Sequence, residues 1–221
     1  MLYLIATPIG NLKDITLRAV ETLKAMPLII AENPGHTKKL LNHLGVAPKQ
    51  LLQFAEHNEL KALPKLIELL SNKDGCLVTD AGTPGISDPG FRLVRACVEN
   101  SIPVTSIPGP SAAITALAAS GLPTDKFLFA GFLPKTEPKL LSLLLEAKNS
   151  KSTLVTYESP QRIKKTVLAI SKAYPEAQVV IARELTKMYE EFVRGSATEV
   201  ANILEKRQSI KGEITLLISF K

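Results

Sequence analysis

Cys76-Leu77-Val78-Thr79-Asp80-Ala81-Gly82-Thr83-Pro84-Gly85-Ile86-Ser87-Asp88-Pro89-Gly90 is the stretch from which the fold can be read. Its opening residues are a short apolar run of strand character, and the eleven from Asp80 to Gly90 include three Gly and two Pro. Gly has no Cβ and Pro fixes φ, so this loop has a defined course that no side chain crowds. Asp88 before Pro89 predicts a helix N-cap with Pro at the first helical position, opening a helix near Pro89–Glu99. A strand, a Gly/Pro loop and a helix in this order form the unit of a parallel α/β fold. Open α/β sheets bind ligands at the carboxyl ends of their strands.

The same unit recurs on both sides. Strands are expected at Leu2–Thr7, Leu28–Ala31, Leu51–Ala55, Cys76–Thr79 and Val104–Ile107. Helices are expected near Ile15–Ala25, His36–Leu44, Glu59–Leu70, Pro89–Glu99 and Ser111–Ser120. Asp14 reads as the cap of the helix that would bury Ile15, Leu17, Val20 and Leu23. This alternation predicts a mostly parallel sheet with helices on both faces. The breaker-rich Gly121-Leu122-Pro123-Thr124-Asp125 marks a domain boundary, giving domains 1–121 and 122–221. Beyond it, strands near Phe127–Gly131, Thr153–Tyr157, Val179–Arg183, Glu191–Arg194 and Ile214–Phe220 alternate with helices near Pro138–Ala147, Pro160–Ala173 and Ala197–Lys206. Arg183 to Arg194 reads as two strands with a short link, so the second sheet is expected to be mixed.

Composition narrows the function classes. The 221 residues are 45% hydrophobic and 22% charged, which suits a packed α/β protein rather than a disordered chain. Lys and Arg number 27 against 21 Asp and Glu, a net charge of +6. That surplus fits a polyanionic partner and equally a basic enzyme without one. Cys76 and Cys97 show no CxxC spacing, which points to a reducing compartment rather than a disulfide framework or zinc site. MLYLIATPIG is too short for a membrane span and has no basic leader, so it reads as a buried first strand of a cytoplasmic protein.

Two further Gly/Pro segments follow strands: Ala6-Thr7-Pro8-Ile9-Gly10-Asn11-Leu12 and Ile107-Pro108-Gly109-Pro110-Ser111-Ala112-Ala113. Three such loops point to one shared cleft, with Pro8 and Asp80 among its lining residues. Ser111 has a second reading as a helix cap. No GxGxxG fingerprint, P-loop or GxSxG nucleophile motif is present, so neither a nicotinamide or ATP cofactor nor serine hydrolysis is indicated. His36 and His57 stand near carboxylates at a spacing that matches no zinc pattern, and no metal is expected.

The runs ATPIGNLKDITLRAVETL, TDAGTPGISDPGFRLV, IPGPSAAITALAASGLPTDKFLFAGFLP, YESPQR, ARELTKMYEEFVRG and KGE, in this order, resemble the ribosomal RNA small subunit methyltransferase I family of the tetrapyrrole methylase superfamily. The resemblance implies a two-domain α/β fold with a cleft between domains that holds S-adenosylmethionine, and a homodimer. It implies 2′-O-methylation of a cytidine in the decoding region of 16S rRNA, on the 30S subunit. By position, Gly82, Thr83, Pro84 and Ser87 fall in the cofactor loop, and Ser111 and Ala112 in a second cofactor segment. Tyr157 and Glu158 fall in a strand-end motif of the second domain, with Arg183, Glu184 and Lys211-Gly212-Glu213 nearby. The family reads Ala-Glu-Asp-Thr-Arg-His-Thr where this chain has Ala31-Glu32-Asn33-Pro34-Gly35-His36-Thr37. Many members also carry a further basic C-terminal segment.

A ribose hydroxyl is a poor nucleophile until its proton is taken. Glu32, His36, Asp80 and Glu56 are candidates for that role. Glu32 is favoured because it stands at a strand end, its other reading being a carboxylate that caps the next helix. Arg18, Lys38, Lys39, Arg92, Arg162 and Lys164 are candidate phosphate contacts. Few aromatic residues and no Trp leave little for stacking on bases. The rival functions are a tetrapyrrole-type small-molecule methyltransferase and a catalytically inactive cofactor- or RNA-binding paralogue.

Overall fold

In a computed structural model, which describes residues 1–220, the chain forms two compact units, Met1–Ser111 and Ala112 onward. The first holds strands β1 (Leu2–Ile5), β2 (Leu28–Ala31), β3 (Leu51–Gln53), β4 (Gly75–Val78) and β5 (Val104–Ile107). Its helices are α1 (Leu17–Ala25), α2 (Pro34–His43), α3 (Glu59–Asn72) and α4 (Phe91–Glu99). The sheet order is β3-β2-β4-β1-β5, and every pairing is parallel.

Alternate strand residues feed two cores. Leu28 and Ile30 pack with Leu66, Leu70, Leu93 and Cys97 of α3 and α4. Ile29 and Ala31 pack with Ala19, Leu23 and Leu41 of α1 and α2. Cover on both faces explains why β2 and β4 are buried at every position and read as unbroken apolar runs. Each Leu or Ile so buried contributes about 1.5–3 kcal/mol. Burial also lifts the Cys76 thiol to about 12 and the Cys97 thiol to about 11, so both stay protonated and inert. β1 and β4 are neighbours, yet the helices that follow them lie on opposite faces. The chain therefore diverges at their carboxyl ends and leaves a crevice there, the topological switch point of such sheets.

The second unit holds α5 (Ala112–Ser120), β6 (Phe127–Phe132), α6 (Glu137–Asn149), β7 (Thr153–Glu158), α7 (Ile163–Ala173), β8 (Gln178–Arg183), β9 (Glu191–Ser196), α8 (Ala197–Glu205) and β10 (Ile214–Ser219). Its order is β6-β7-β10-β8-β9, parallel between β6 and β7 and antiparallel elsewhere, a mixed sheet as expected. Helices α6, α7 and α8 share one core through Leu144, Val167, Ile170 and Val200. α8 starts in a reciprocal capping box between Ser196 and Glu199.

The structure corrects three expectations. The units divide after Ser111 rather than Gly121, because α5 packs on β7, β8 and β10 of the second sheet. Arg194 of β9 fastens the end of α5, donating to the carbonyls of Ala119 (2.7 Å) and Ser120 (3.1 Å). Asp14 lies in a 3₁₀ turn; Thr16 caps α1 by accepting the Ala19 N–H, and Ala19 and Leu23 are buried while Leu17 is 83% exposed. Asp88-Pro89 does not open α4 either. Gly90 takes the N-cap position, since the Pro89 carbonyl is used to close the preceding loop.

Candidate active site

The crevice at the β1–β4 switch point is built by loops that hold one another. Thr7 and Gly82 exchange backbone hydrogen bonds of 2.9 and 3.0 Å, an isolated bridge between the loops after β1 and β4. The Thr7 hydroxyl donates to the Thr79 carbonyl (3.1 Å), and the Thr83 hydroxyl to the Pro110 carbonyl (3.2 Å), which adds the loop after β5. Pro8, Pro84 and Ser111 stand beside these anchors. The Glu32 carboxylate accepts the Asp80 N–H at 3.2 Å, so the end of β2 is tied in as well. Four strand ends are thus joined within the first unit.

The loop after β4 turns on left-handed backbone. Gly82, Gly85 and Gly90 have φ of 81°, 83° and 148°, and Ser87, at 63°, carries a steric cost that the glycines escape. The Gly85 N–H donates to the Pro89 carbonyl, and a Cβ on Gly90 would come within 2.9 Å of the Gly85 nitrogen. Two polar atoms at the base of this loop, Thr79 Oγ1 and Asp80 Oδ1, are buried without a hydrogen-bond partner among the described residues. A buried carboxylate oxygen in that condition is costly unless a donor arrives.

Glu32 is not the helix cap. Asn33 caps α2 instead, its side-chain oxygen accepting the Gly35 and His36 N–H groups at 3.0 and 3.2 Å, with Pro34 at the first helical position. Glu32 commits one carboxylate oxygen to Asp80, and the other has no hydrogen bond among the described residues. His36 and His57 are exposed, as is Glu56. No group of three or more His, Cys, Asp or Glu among the described residues could hold a metal ion.

In the second unit, Glu158 is buried and fully engaged at the end of β7. It accepts from the Ser159 N–H (2.7 Å) and Thr166 hydroxyl (2.8 Å) and faces Arg162 at 3.4 Å. The Tyr157 ring meets Phe129 and Phe132 edge-on. Glu184, at φ 51°, accepts from Lys187 (2.8 Å) and the Glu213 N–H (3.0 Å), which hold its carboxyl below the usual range. Gly212, at φ 93°, suits its place because a Cβ there would run into the Glu184 side chain. Arg183 donates to Glu191 (3.1 Å) and the Lys211 carbonyl (3.1 Å). Glu191 is also gripped by Arg207, which with Arg183 brings its carboxyl down to about 2. Glu191, Arg207 and Arg194 escaped the sequence reading, since charges brought together by strand pairing carry no local signature.

Residues 1–201 match the sequence pattern of the tetrapyrrole (corrin/porphyrin) methylases. The chain is also 47% identical to "Ribosomal RNA small subunit methyltransferase I" of Hydrogenobaculum sp. over 99% of its own length and 95% of that protein. It is 42% identical to the protein of that name from Thermotoga maritima, covering 100% of this chain and 98% of the relative. The chain belongs to the ribosomal RNA small subunit methyltransferase I family of tetrapyrrole methylases. It is a methyltransferase. The homologue from Halalkalibacterium halodurans is 47% identical, with 98% of this chain matching 75% of that one. Among solved structures, diphthine synthase superposes with a TM-score of 0.78 at 11% identity, over 99% of this chain and 89% of that one. The methyltransferase CobJ does so with 0.71 at 16% identity, over 99% and 93%; these likenesses show the shared fold.

Seen as a member of this family, the chain sorts the six candidate phosphate contacts into two sets. Arg92 pairs with Glu59 at 3.3 Å, Arg162 donates to the carbonyls of Leu133 and Pro134, and Lys164 donates to the Arg207 carbonyl. These three cations serve the fold. Arg18, Lys38 and Lys39 are exposed and make no ion pair among the described residues.

Proposed function

We propose that this methyltransferase uses S-adenosylmethionine to methylate a ribose 2′-hydroxyl of 16S rRNA, on a cytidine of the decoding region. The observation that carries the reading is the interlocked crevice of the first unit, with a half-engaged Glu32 and an unpartnered Asp80 oxygen at its base. The residues fit the cofactor: its ammonium and ribose hydroxyl groups are donors of the kind Asp80 Oδ1 lacks. Pro8, Asp80, Gly82, Thr83, Pro84, Ser87 and Ser111 would hold it. When bound, S-adenosylmethionine supplies a methyl group on a positively charged sulfur.

The chain's own residues must fix the acceptor and take its proton. Glu32 is suited to proton removal, because Asp80 anchors one of its oxygens and leaves the other to accept the hydroxyl proton, a role commonly worth about 10²–10⁴ in rate. Interlocked loops keep that oxygen in place, and orientation of this kind lowers barriers by up to about 7–11 kcal/mol in favourable cases.

An rRNA acceptor is favoured over a tetrapyrrole because relatives at 42–47% identity are named for rRNA, whereas CobJ is 16% identical. Of the two departures that motivate the inactive-paralogue reading, Asn33 keeps the capping function that an Asp would have, which leaves Gly35 in place of the family's Arg as its one remaining ground. The cytoplasmic setting and homodimer belong to the proposal; analytical ultracentrifugation tests the dimer. The deciding experiment is mass-spectrometric mapping of 2′-O-methylation on 16S rRNA, using 30S subunits incubated with and without the protein. One methylated cytidine ribose in the decoding region supports the reading. Methyl transfer to a base, or to a porphyrinoid and not to RNA, overturns it.

A further inference from the structure

The first unit separates its charges between the two faces of its sheet. The face covered by α1 and α2 carries Lys13, Arg18, Lys24, Lys38, Lys39 and Lys49 with their flanking segments, against the acids Asp14, Glu21 and Glu32. All six cations are exposed, and none makes an ion pair among the described residues. The face covered by α3 and α4 is balanced: Lys61, Lys65, Lys73, Arg92 and Arg95 against Glu56, Glu59, Glu68, Asp74 and Glu99. Several of its charges neutralise one another, Arg92 with Glu59 at 3.3 Å and Arg95 with Glu99 at 2.9 Å.

Helix α2 contains no acid. His36, Lys39 and His43 stand at helical positions i, i+3 and i+7 and form one exposed stripe, with Lys38 beside it. The topology sets one end of this face beside the crevice. α2 starts just after β2 and α1 follows the long loop after β1, so the first turns of both helices, with Arg18 and His36–Lys39, lie toward the carboxyl edge of the sheet, where Glu32 and Asp80 stand.

We propose that the α1–α2 face of the first unit is the surface on which the RNA backbone docks, with Arg18, Lys38 and Lys39 as its phosphate contacts nearest the crevice. The inference rests on the rRNA reading and adds to it the face and the residues. Unpaired exposed cations hold condensed phosphate charge without first breaking internal pairs, and each neutralised phosphate steepens the salt dependence of binding. The α3–α4 face also carries exposed cations without an ion pair among the described residues, Lys61 and Lys65, but its acids equal its bases in number, so it has no net positive charge to offer a phosphate backbone.

The test is fluorescence anisotropy of the full chain with a labelled RNA hairpin of about 30 nucleotides, titrated across KCl concentrations. Four proteins are compared: wild type, Lys38→Glu/Lys39→Glu, Lys61→Glu/Lys65→Glu on α3, and Lys165→Glu/Lys172→Glu on α7. The α2 variant is expected to bind at least about tenfold more weakly at moderate salt and to lower the slope of log affinity against log salt by about 1.5–2. The α3 variant should stay within about twofold, as it alters the same number of charges on the other face. A milder Lys38→Ala/Lys39→Ala variant repeats the measurement if the charge reversal fails to fold. Equal losses in the α2 and α3 variants, or a loss confined to the α7 variant, overturn the docking face while leaving the rRNA reading intact. Absence of salt-sensitive binding by the wild type overturns both.

Discussion

The carboxylate of Glu32, just after β2, accepts the backbone N–H of Asp80, just after β4, over 3.2 Å. One oxygen is committed to this bond, which separates two roles that a single substitution would confuse. Glu32→Gln keeps an acceptor for the Asp80 N–H and removes the proton acceptor; Glu32→Ala removes both. As the base, Glu32 gives a Gln variant with S-adenosylmethionine affinity within about twofold of wild type and turnover down by about 10²–10⁴. Single-turnover methylation of 30S subunits and calorimetric cofactor titration measure the two quantities. A Gln variant with normal turnover beside an Ala variant that binds cofactor poorly would leave Glu32 as a strut for the loop.

Gly90 tests how much the loop depends on its backbone. Its φ of 148° disfavours any side chain, and an added Cβ would meet the Gly85 nitrogen at 2.9 Å and Leu77 Cδ2 at 3.1 Å. Gly45 also has a left-handed φ, 65°, yet has open space around it. Gly45→Ala should therefore cost about 1 kcal/mol from conformation alone. Gly90→Ala should cost about 2–4 kcal/mol and weaken cofactor binding too. Urea denaturation compares the two; equal losses would mean that the Gly85–Gly90 contact relaxes freely.

Much of this architecture is legible in the sequence because its signals are local. Leu28–Ala31 is apolar at every position, and the structure covers both of its faces. The Gly/Pro run from Asp80 to Gly90 does lie in the loop that joins β4 to α4. Misreadings arise where two local signals compete. Asp14 and Asp88 are both good caps by type, but Thr16 and Gly90 occupy the cap positions because the loops before them need those turns for other bonds. Relationships across the sheet leave no such trace. Neither the Thr7–Gly82 bridge nor the hold of Arg194 on α5 has a short-range pattern, and the latter, with the packing of α5, moves the boundary between units. Arg92, Arg162 and Lys164 look as available as Lys38 and Lys39 until their partners are seen.

Glu191 makes the contacts of Arg207 and Arg183 sensitive to acid. The Arg207 hydrogen bonds, and after them Arg183, hold its carboxyl down to about 2 from 4.5 despite partial burial. Because the folded value lies below the unfolded one, the stabilisation is complete above about pH 4.5 and is lost as pH falls from there toward 2. Glu191→Gln should melt below wild type at neutral pH, with the gap between them closing through that acid window. Thermal melts followed by circular dichroism at a series of pH values check this. A gap that persists unchanged at pH 2 would show that packing, not charge, carries the contribution.

Asn33 stands where the family pattern has Asp, and its geometry says what that exchange alters. Its side-chain oxygen already accepts the two N–H groups that a capping Asp would take, so the start of α2 is satisfied. An Asp would add a negative charge to the positive end of the helix, a gain of about 0.3–1 kcal/mol at low ionic strength. Asn33→Asp should raise stability by that amount and leave methyl transfer within about twofold, whereas Asn33→Ala should cost about 1 kcal/mol. Chemical denaturation at low and high salt separates these contributions, because the Asp gain is screened and the lost cap is not. A tenfold or larger rise in turnover with Asn33→Asp would contradict this, and would place the residue in proton transfer rather than in helix capping.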